Sequence, residues 1–164
     1  MNIRKIATSV FAVALMVLPS TPMAAENVEL YDIIHVEKVK KNDKGEEETV
    51  LEEAKNAKVV PGNTIRSTIY YKNSGDTEAS DVALRSRVPE NTVYIEGSAE
   101  GQGSNVTFSV DGGKSFNKPS ELFVKGTDGK KKKAQASDYT HIMWVVREIA
   151  PGKEGHVLFR AKIE

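Results

Sequence analysis

The chain has 164 residues, with 23 basic residues, 23 acidic residues, 39% hydrophobic residues and no cysteine. This length predicts one domain, and the balanced charge gives no reason to expect nucleic acid as a partner. The absence of cysteine excludes disulfides, cysteine-based metal and redox sites, and lipid attachment at an N-terminal cysteine.

The first 25 residues predict a secretory signal peptide. Arg4 and Lys5 form a basic start, residues 6–18 form an apolar run shorter than the roughly 20 residues of a membrane span, and the small residues Ala24 and Ala25 follow. We predict cleavage after Ala25, export by the general secretory route, and a soluble product in the periplasm or outside the cell. Cleavage removes two basic residues and no acidic ones, leaving 21 basic against 23 acidic residues and a net charge of −2.

Residues 26–58 predict an N-terminal strand and hairpin. The segment from Val28 to Lys40 has apolar residues on both faces, and it continues through NDKGEE into the strand ETVLEE. The stretch KNDKGEEE lacks the alternating ligands of a calcium loop, so we interpret it as a polar hairpin tip. We expect the N-terminal strand to lie along the domain's own sheet. The alternative is that it pairs with another chain in self-association or strand addition.

Residues 59–164 predict an antiparallel β-sandwich, because apolar residues alternate along short segments that Gly, Pro and Asn turns separate. With the N-terminal segment, we expect an all-β chain of about seven to nine strands. The residues predicted to face the core are Ile65, Ser67, Ile69, Tyr71, Val82, Leu84, Val88, Val106, Phe108, Val110, Ile142, Trp144, Val146, Val157, Phe159, Ala161 and Ile163.

The stretch FSVDGGKSF ends with Gly113-Lys114-Ser115, the closing residues of a phosphate-binding loop. Such a loop needs a glycine where this chain has Phe108, and it must run into a helix, whereas Pro119 follows closely. We therefore predict no nucleotide site. We expect a turn at residues 111–113 that places Phe108 opposite Phe116 on the inner face.

We predict no catalytic, cofactor-binding or metal-binding residue. His141 and His156 are expected on adjacent antiparallel strands but seven residue pairs apart, and His35 on a distant strand. The serines show no nucleophile-elbow motif and no arrangement with the scattered histidines, so we expect no enzyme activity.

Two further surface features have alternative interpretations. We interpret the run Lys130–Lys133 as a solvated loop; the alternative is contact with an anionic envelope polymer or lipid head groups. Asn105-Val106-Thr107 matches the short glycan-acceptor motif.

Residues 59–99, 108–116 and 138–163 carry a family resemblance. In order they contain a Pro-Gly-Asn turn, a strand ending at Asn-Ser-Gly, a Val-Pro-x-x-Thr turn, Tyr-x-x-Gly-Ser-Ala, a Trp strand and a Pro-Gly turn. The chain thereby resembles the bacterial extracytoplasmic conserved-repeat domain catalogued as domain of unknown function eleven. The resemblance implies an immunoglobulin-like sandwich without established catalytic residues. Two positions depart from the family pattern: Ser67 stands where a bulkier core residue is expected, and Met143 where a basic residue is frequent.

These observations predict a non-catalytic exported module with a structural or protein-interaction role in the cell envelope or outside the cell, with another envelope or secreted protein as its partner. The alternative is a carbohydrate-binding or enzyme-accessory domain, which would need exposed aromatic residues. Tyr70 is the one aromatic residue that the alternation clearly places on an outer face.

Overall fold

The computed structural model describes residues 27–164, and the predicted signal peptide lies outside the described residues. The described chain is all-β, as predicted: it forms antiparallel strands and two short 3₁₀ turns, at Pro119–Glu121 and Ala136–Asp138, without an α-helix. The strands are β1 (Val28–Lys41), β2 (Glu47–Glu53), β3 (Thr64–Asn73), β4 (Ala79–Arg87), β5 (Thr92–Tyr94), β6 (Glu100–Gly101), β7 (Ser104–Ser109), β8 (Phe123–Lys125), β9 (Lys131–Lys133), β10 (His141–Ile149) and β11 (Glu154–Ile163).

The larger sheet has the strand order β2-β1-β3-β11-β5, with β6 also paired to β11. Strands β1 and β2 form the predicted hairpin, and its tip is the polar segment between Lys41 and Glu47. On its other side β1 pairs with β3 from Val28 to Glu37. The N-terminal segment is therefore an internal strand of its own sheet over much of its length.

Strand β3 lies at the centre of the larger sheet and follows the predicted alternation. Ile65, Ser67, Ile69 and Tyr71 are buried on the inner face. Ser67 pairs directly with Phe159 of β11. A small side chain at position 67 leaves room for this bulky neighbour in a close-packed core.

The smaller sheet has the order β4-β10-β7, and its inner face packs against that of the larger sheet around one hydrophobic core. Trp144 is fully buried at the middle of β10, with Leu84 and Val106 opposite it on the two neighbouring strands. Its ring centroid lies 6.3 Å from that of Phe159. The predicted inward facing of Trp144 is confirmed.

Strands β10 and β11 do not pair, so the expectation that His141 and His156 lie on adjacent strands is wrong. The chain passes from the smaller sheet to the larger one at Pro151-Gly152, and β11 pairs with β3 instead. Asn73 fixes this crossing. Its buried side chain donates a 2.8 Å hydrogen bond to the Ile149 carbonyl, and its backbone pairs with Gly152 and Lys153.

Two local expectations are also wrong. Phe108 forms its bridge with Asn117, not Phe116, and the Phe116 ring lies on the outside, 5.3 Å from the guanidinium carbon of Arg85. Lys131–Lys133 form a strand, not a loop: β9 pairs with β8, and the Lys131 ammonium lies 4.3 Å from the centroid of the Phe123 ring. Pairing with β8, which contains Phe123, holds the backbone of these lysines extended while their side chains remain exposed to water.

Candidate functional site

The turn that resembles a phosphate loop is filled by the chain's own carboxylate. The backbone N–H groups of Lys114 and Ser115 each donate a 3.0 Å hydrogen bond to Oδ1 of Asp111. The Gly113 N–H donates to the Ser109 hydroxyl at 2.9 Å. The amides that would hold a phosphate in a nucleotide-binding loop therefore already have partners here.

Asp111 is the acceptor that organises this turn. The Ser115 hydroxyl donates to its Oδ2 at 2.6 Å, and the Ser109 hydroxyl donates to its Oδ1 at 2.7 Å. These hydrogen bonds, led by that from Ser115, hold the pKa of Asp111 far below its ordinary value. The lowered pKa of Asp111 is therefore explained by the hydrogen bonds through which its carboxylate stabilises the turn.

The three histidines occupy separate places. His141 is half-buried beside Gly113, and burial, with the nearby charge of Arg87, lowers its pKa. His35 and His156 lie on the outer face of the larger sheet, on β1 and β11. Within residues 27–164, no group of three or more His, Cys, Asp or Glu side chains is placed to hold a metal ion.

The acidic hairpin tip is held by Asn42. Its side-chain oxygen accepts hydrogen bonds from the backbone of Lys44 at 2.9 Å and of Glu46 at 3.0 Å. Its Nδ2 donates to the Glu46 carboxylate at 3.1 Å. This pattern is an Asx-type turn. Asn105, of the glycan-acceptor motif, is exposed on β7.

The outer face of the larger sheet carries a row of three rings, which we call the aromatic row: Tyr31, Tyr70 and His156. They are direct cross-strand neighbours on β1, β3 and β11. The Tyr31 and Tyr70 rings stack with centroids 4.9 Å apart and an interplanar angle of 12°. The His156 ring lies 5.7 Å from that of Tyr70. Tyr31, at the end of the row, is 59% exposed.

Charged and apolar side chains border the aromatic row on its two sides. Glu29, Lys72 and Glu154 are neighbours in the next row on one side, and with the rings they line a cleft of about 380 Å³. On the other side the neighbouring row consists of Ile33, Thr68 and Leu158. Thr68 is only 3% exposed, although it lies on an outer face, because the side chains around it cover it.

Beyond this apolar row lies an ion cluster centred on Glu37, whose side chain is 7% exposed. Arg160 donates to its Oε2 from Nη2 at 2.7 Å and from Nε at 3.1 Å. Arg66 approaches its Oε1 at 3.3 Å. The Arg66 Nε and the His35 Nδ1 are buried without a hydrogen-bond partner in the described chain. The outer face of the larger sheet therefore buries charged and polar groups that an ordinary solvated sheet face would leave in water.

The sequence indicated part of this surface. Alternation placed Tyr70 on the outer face, but it did not single out Tyr31, because apolar residues occur on both faces of its segment. The convergence of Tyr31, Tyr70 and His156 depends on the register of β1 and β11 against β3, which joins residues about 40 and 86 positions apart in the chain. No local pattern carries that register.

Comparison of the chain with protein-family models, with curated proteins and with solved structures finds no match. Among the described residues, no helix has the length and apolar character needed to cross a membrane.

Proposed function

We propose that the protein is a non-catalytic exported module that binds another envelope or secreted protein through the aromatic row. The observation that carries the proposal is the exposure of Tyr31 at the end of a stacked row on an open sheet face. Tyrosine supplies a large, rigid contact area at small entropic cost and is enriched at protein interfaces. The apolar row of Ile33, Thr68 and Leu158 beside it extends the same surface.

The stacking geometry favours a protein over a sugar as the main ligand. Tyr70 stands between Tyr31, which stacks on it at 4.9 Å, and His156, whose ring lies 5.7 Å away at a 44° tilt. The Tyr70 ring is therefore flanked by neighbours of the same row, whereas a sugar ring needs an open aromatic face. Tyrosine combines an apolar ring with a polar hydroxyl, which suits the mixed contacts of a protein interface.

Carbohydrate binding is the second candidate function, and one observation favours it. Tyr31 is 59% exposed although it stacks on Tyr70, and the cleft beside it carries Glu29, Lys72 and Glu154. Carboxylate and ammonium groups beside a single aromatic face are typical of sites that hydrogen-bond sugar hydroxyls. This arrangement would hold one sugar unit at the end of the row.

The absence of catalysis is also part of the proposal. The perturbed pKa values of Asp111 and His141 belong to the turn at residues 111–115 and its surroundings. Tyr71 and Tyr139 have pKa values raised by burial in the core. Of these groups Tyr71 alone lines the cleft beside the aromatic row, and its raised pKa disfavours the phenolate that covalent catalysis would require.

We also propose that residues 1–25 are a cleaved signal peptide and that the two sheets form an immunoglobulin-like sandwich of the conserved-repeat family. The basic start and short apolar run support the first proposal. The order of turn motifs and the central Trp144 support the second. The pairing of β11 with β3 is a variation on the immunoglobulin order, in which the last two strands share a sheet.

A photo-crosslinking experiment tests the binding surface. The full chain carrying benzoylphenylalanine at position 31 is expressed in its native cells and irradiated, and adducts are separated by mass. We expect a discrete protein adduct. The Tyr70→Ala change, which removes the middle ring of the row, should reduce its yield several-fold. The control places the same crosslinker at Glu121, an exposed residue of a distant turn.

Equal adducts from positions 31 and 121 would show that the aromatic row is not the binding surface. The carbohydrate function is tested separately by calorimetry of the purified chain with polysaccharides of the same envelope. Binding that disappears in Tyr31→Ala, together with the absence of a protein adduct, would replace the protein-binding proposal by the carbohydrate one.

A further inference from the structure

The two sheets differ in width, and this leaves one side of the core partly uncovered. The smaller sheet ends at β4, whereas the larger sheet continues past β3 to β1 and β2. Leu30 lies on the inner face of β1, as its pairing with the buried Tyr71 shows, yet it is 54% exposed. An apolar side chain that faces inward but remains in water marks a place where a facing strand is missing.

A groove of about 380 Å³ follows this open side, and we call it the β4 groove. It is lined by Leu30, Tyr31 and Asp32 of β1, Ile69 of β3 and residues 83–87 of β4. Ile69 and Leu84 belong to the hydrophobic core. The groove therefore runs along the free edge of β4 and opens onto the core.

The edge of β4 is itself available for pairing. In the described chain β4 pairs with β10 on one side and has no strand on the other. In an antiparallel ladder every second residue turns its N–H and C=O away from the partner, so the free edge presents a row of unpaired backbone groups. At Asp81, with φ of 52°, the pairing with β10 is interrupted without a change of register, and the regular stretch after it spans residues 82–87, about 20 Å.

Basic side chains lie beside this edge on the outer face of β4, whereas the acidic Asp32 lines the groove on the inner side. Arg85 and Arg87 are exposed on the outer face of β4, and although Arg87 contacts Glu90, none of the ion pairs within residues 27–164 includes Arg85. Acidic side chains on an added strand would lie directly across from these arginines. Opposite charges in cross-strand pairs stabilise a sheet, and like charges destabilise it.

We propose that the β4 groove binds an extended segment of another protein in which apolar and acidic residues alternate over about six positions. The segment adds to the free edge of β4. Its apolar side chains enter the groove over Leu30 and Leu84, and its acidic side chains lie beside Arg85 and Arg87. This surface meets the aromatic row at Tyr31, and its occupation does not depend on Tyr70.

A second copy of this chain is a poorer occupant of the same edge. Antiparallel pairing of two β4 strands can keep both inner faces on the core side with most of residues 82–87 overlapping. Arg85 then lies directly opposite or diagonally across from Arg85 of the other copy. That arrangement opposes like charges instead of neutralising them.

Synthetic peptides test the proposal on the full mature chain. One peptide alternates Val and Glu over seven positions, and a matched peptide carries Lys in place of Glu. We expect the acidic peptide to bind with at least tenfold higher affinity by fluorescence anisotropy, and to shift backbone amide resonances of β4 and of Leu30. Peptide binding should be unchanged in Tyr70→Ala, which separates this site from the proposed function of the aromatic row.

The double change Arg85→Glu and Arg87→Glu should reverse the preference between the two peptides while leaving the urea midpoint nearly unchanged. Lys114→Glu, which changes charge at an exposed turn away from β4, is the control and should have no effect. Equal affinity for both peptides, the same preference in the double variant, or a dimer that the double variant dissociates would each overturn the proposal.

Discussion

Trp144 has the largest side chain that the fold buries completely, and its indole N–H has no hydrogen-bond partner in the described chain. The ring thus contributes apolar burial at the cost of one unpaired polar group. It contacts the core from the middle of the smaller sheet, between Leu84 and Val106. Its contribution is one of packing, not of recognition.

The Trp144→Ala change should lower the free energy of unfolding by about 3–5 kcal/mol, the usual cost of truncating a buried Trp. Urea unfolding followed by circular dichroism measures it without depending on tryptophan fluorescence. The neighbouring Met143→Ala change is the matched control, because Met143 points to the outer face and is half-exposed. An equal effect of the two changes would mean that the facing of β10 is wrong.

Asp111 predicts an acid-sensitive component of stability. Its folded-state pKa is depressed by the Ser115 and Ser109 hydrogen bonds. The unfolded chain therefore binds this proton more readily, and the stabilisation present above the unfolded pKa of about 3.9 is lost as the pH falls. Between pH 5 and 2, the urea midpoint of the wild type should fall more steeply than that of Asp111→Asn. Asp76→Asn, at an exposed turn, should retain the steep wild-type dependence. Parallel curves for the wild type and Asp111→Asn would contradict this role.

At the scale of elements, β1 connects β2 to β3 within the larger sheet. It pairs with β2 from His35 to Lys41 and with β3 from Val28 to Glu37, and Val36, in both ladders, is completely buried. An internal strand of this kind cannot be withdrawn without leaving the edge of β3 unpaired and exposing the buried Val36. Because β1 is paired on both sides over much of its length, the unpaired strand edges lie elsewhere, and β4 at the end of the smaller sheet is one of them.

Deletion of residues 27–41 should therefore abolish cooperative unfolding, because it removes the strand that pairs with one edge of β3. Calorimetry would show the loss of the unfolding transition, and sedimentation should find the intact chain monomeric. Substituting Asp43 and Lys44 by Ser at the exposed hairpin tip is the control that should leave both properties unchanged. A dimeric intact chain together with a folded, monomeric deletion variant would instead assign β1 to assembly.

The elements also show what sequence can and cannot predict here. Alternation predicted which residues of β3, β10 and β11 face the core, since side-chain direction has a local period of two. The same reasoning failed for the partner of β11 and for the partner of Phe108. A short turn suggested that β11 pairs with its chain neighbour β10, whereas its observed partner is the distant β3. At Phe108 the chain does turn back, but the partner is Asn117, one residue beyond the expected Phe116.

For the molecule as a whole, composition and turn spacing predicted the all-β class, but the unequal widths of the two sheets could not be predicted. That inequality follows from the N-terminal hairpin joining the larger sheet at β3. It produces both surfaces proposed above. The wide sheet carries the aromatic row on its outer face, and its overhang beyond β4 leaves Leu30 exposed on the inner one.

The crossing at Pro151-Gly152 has a consequence for how the protein is made. Strand β3 pairs with β1 on one side and with β11 on the other. Thr64 therefore pairs with Lys162, which is synthesised nearly a hundred residues later. Sheets closed by such distant pairings fold slowly, because the chain between them must lose its freedom before the contacts form. Most of the chain must therefore be synthesised before the larger sheet can form completely.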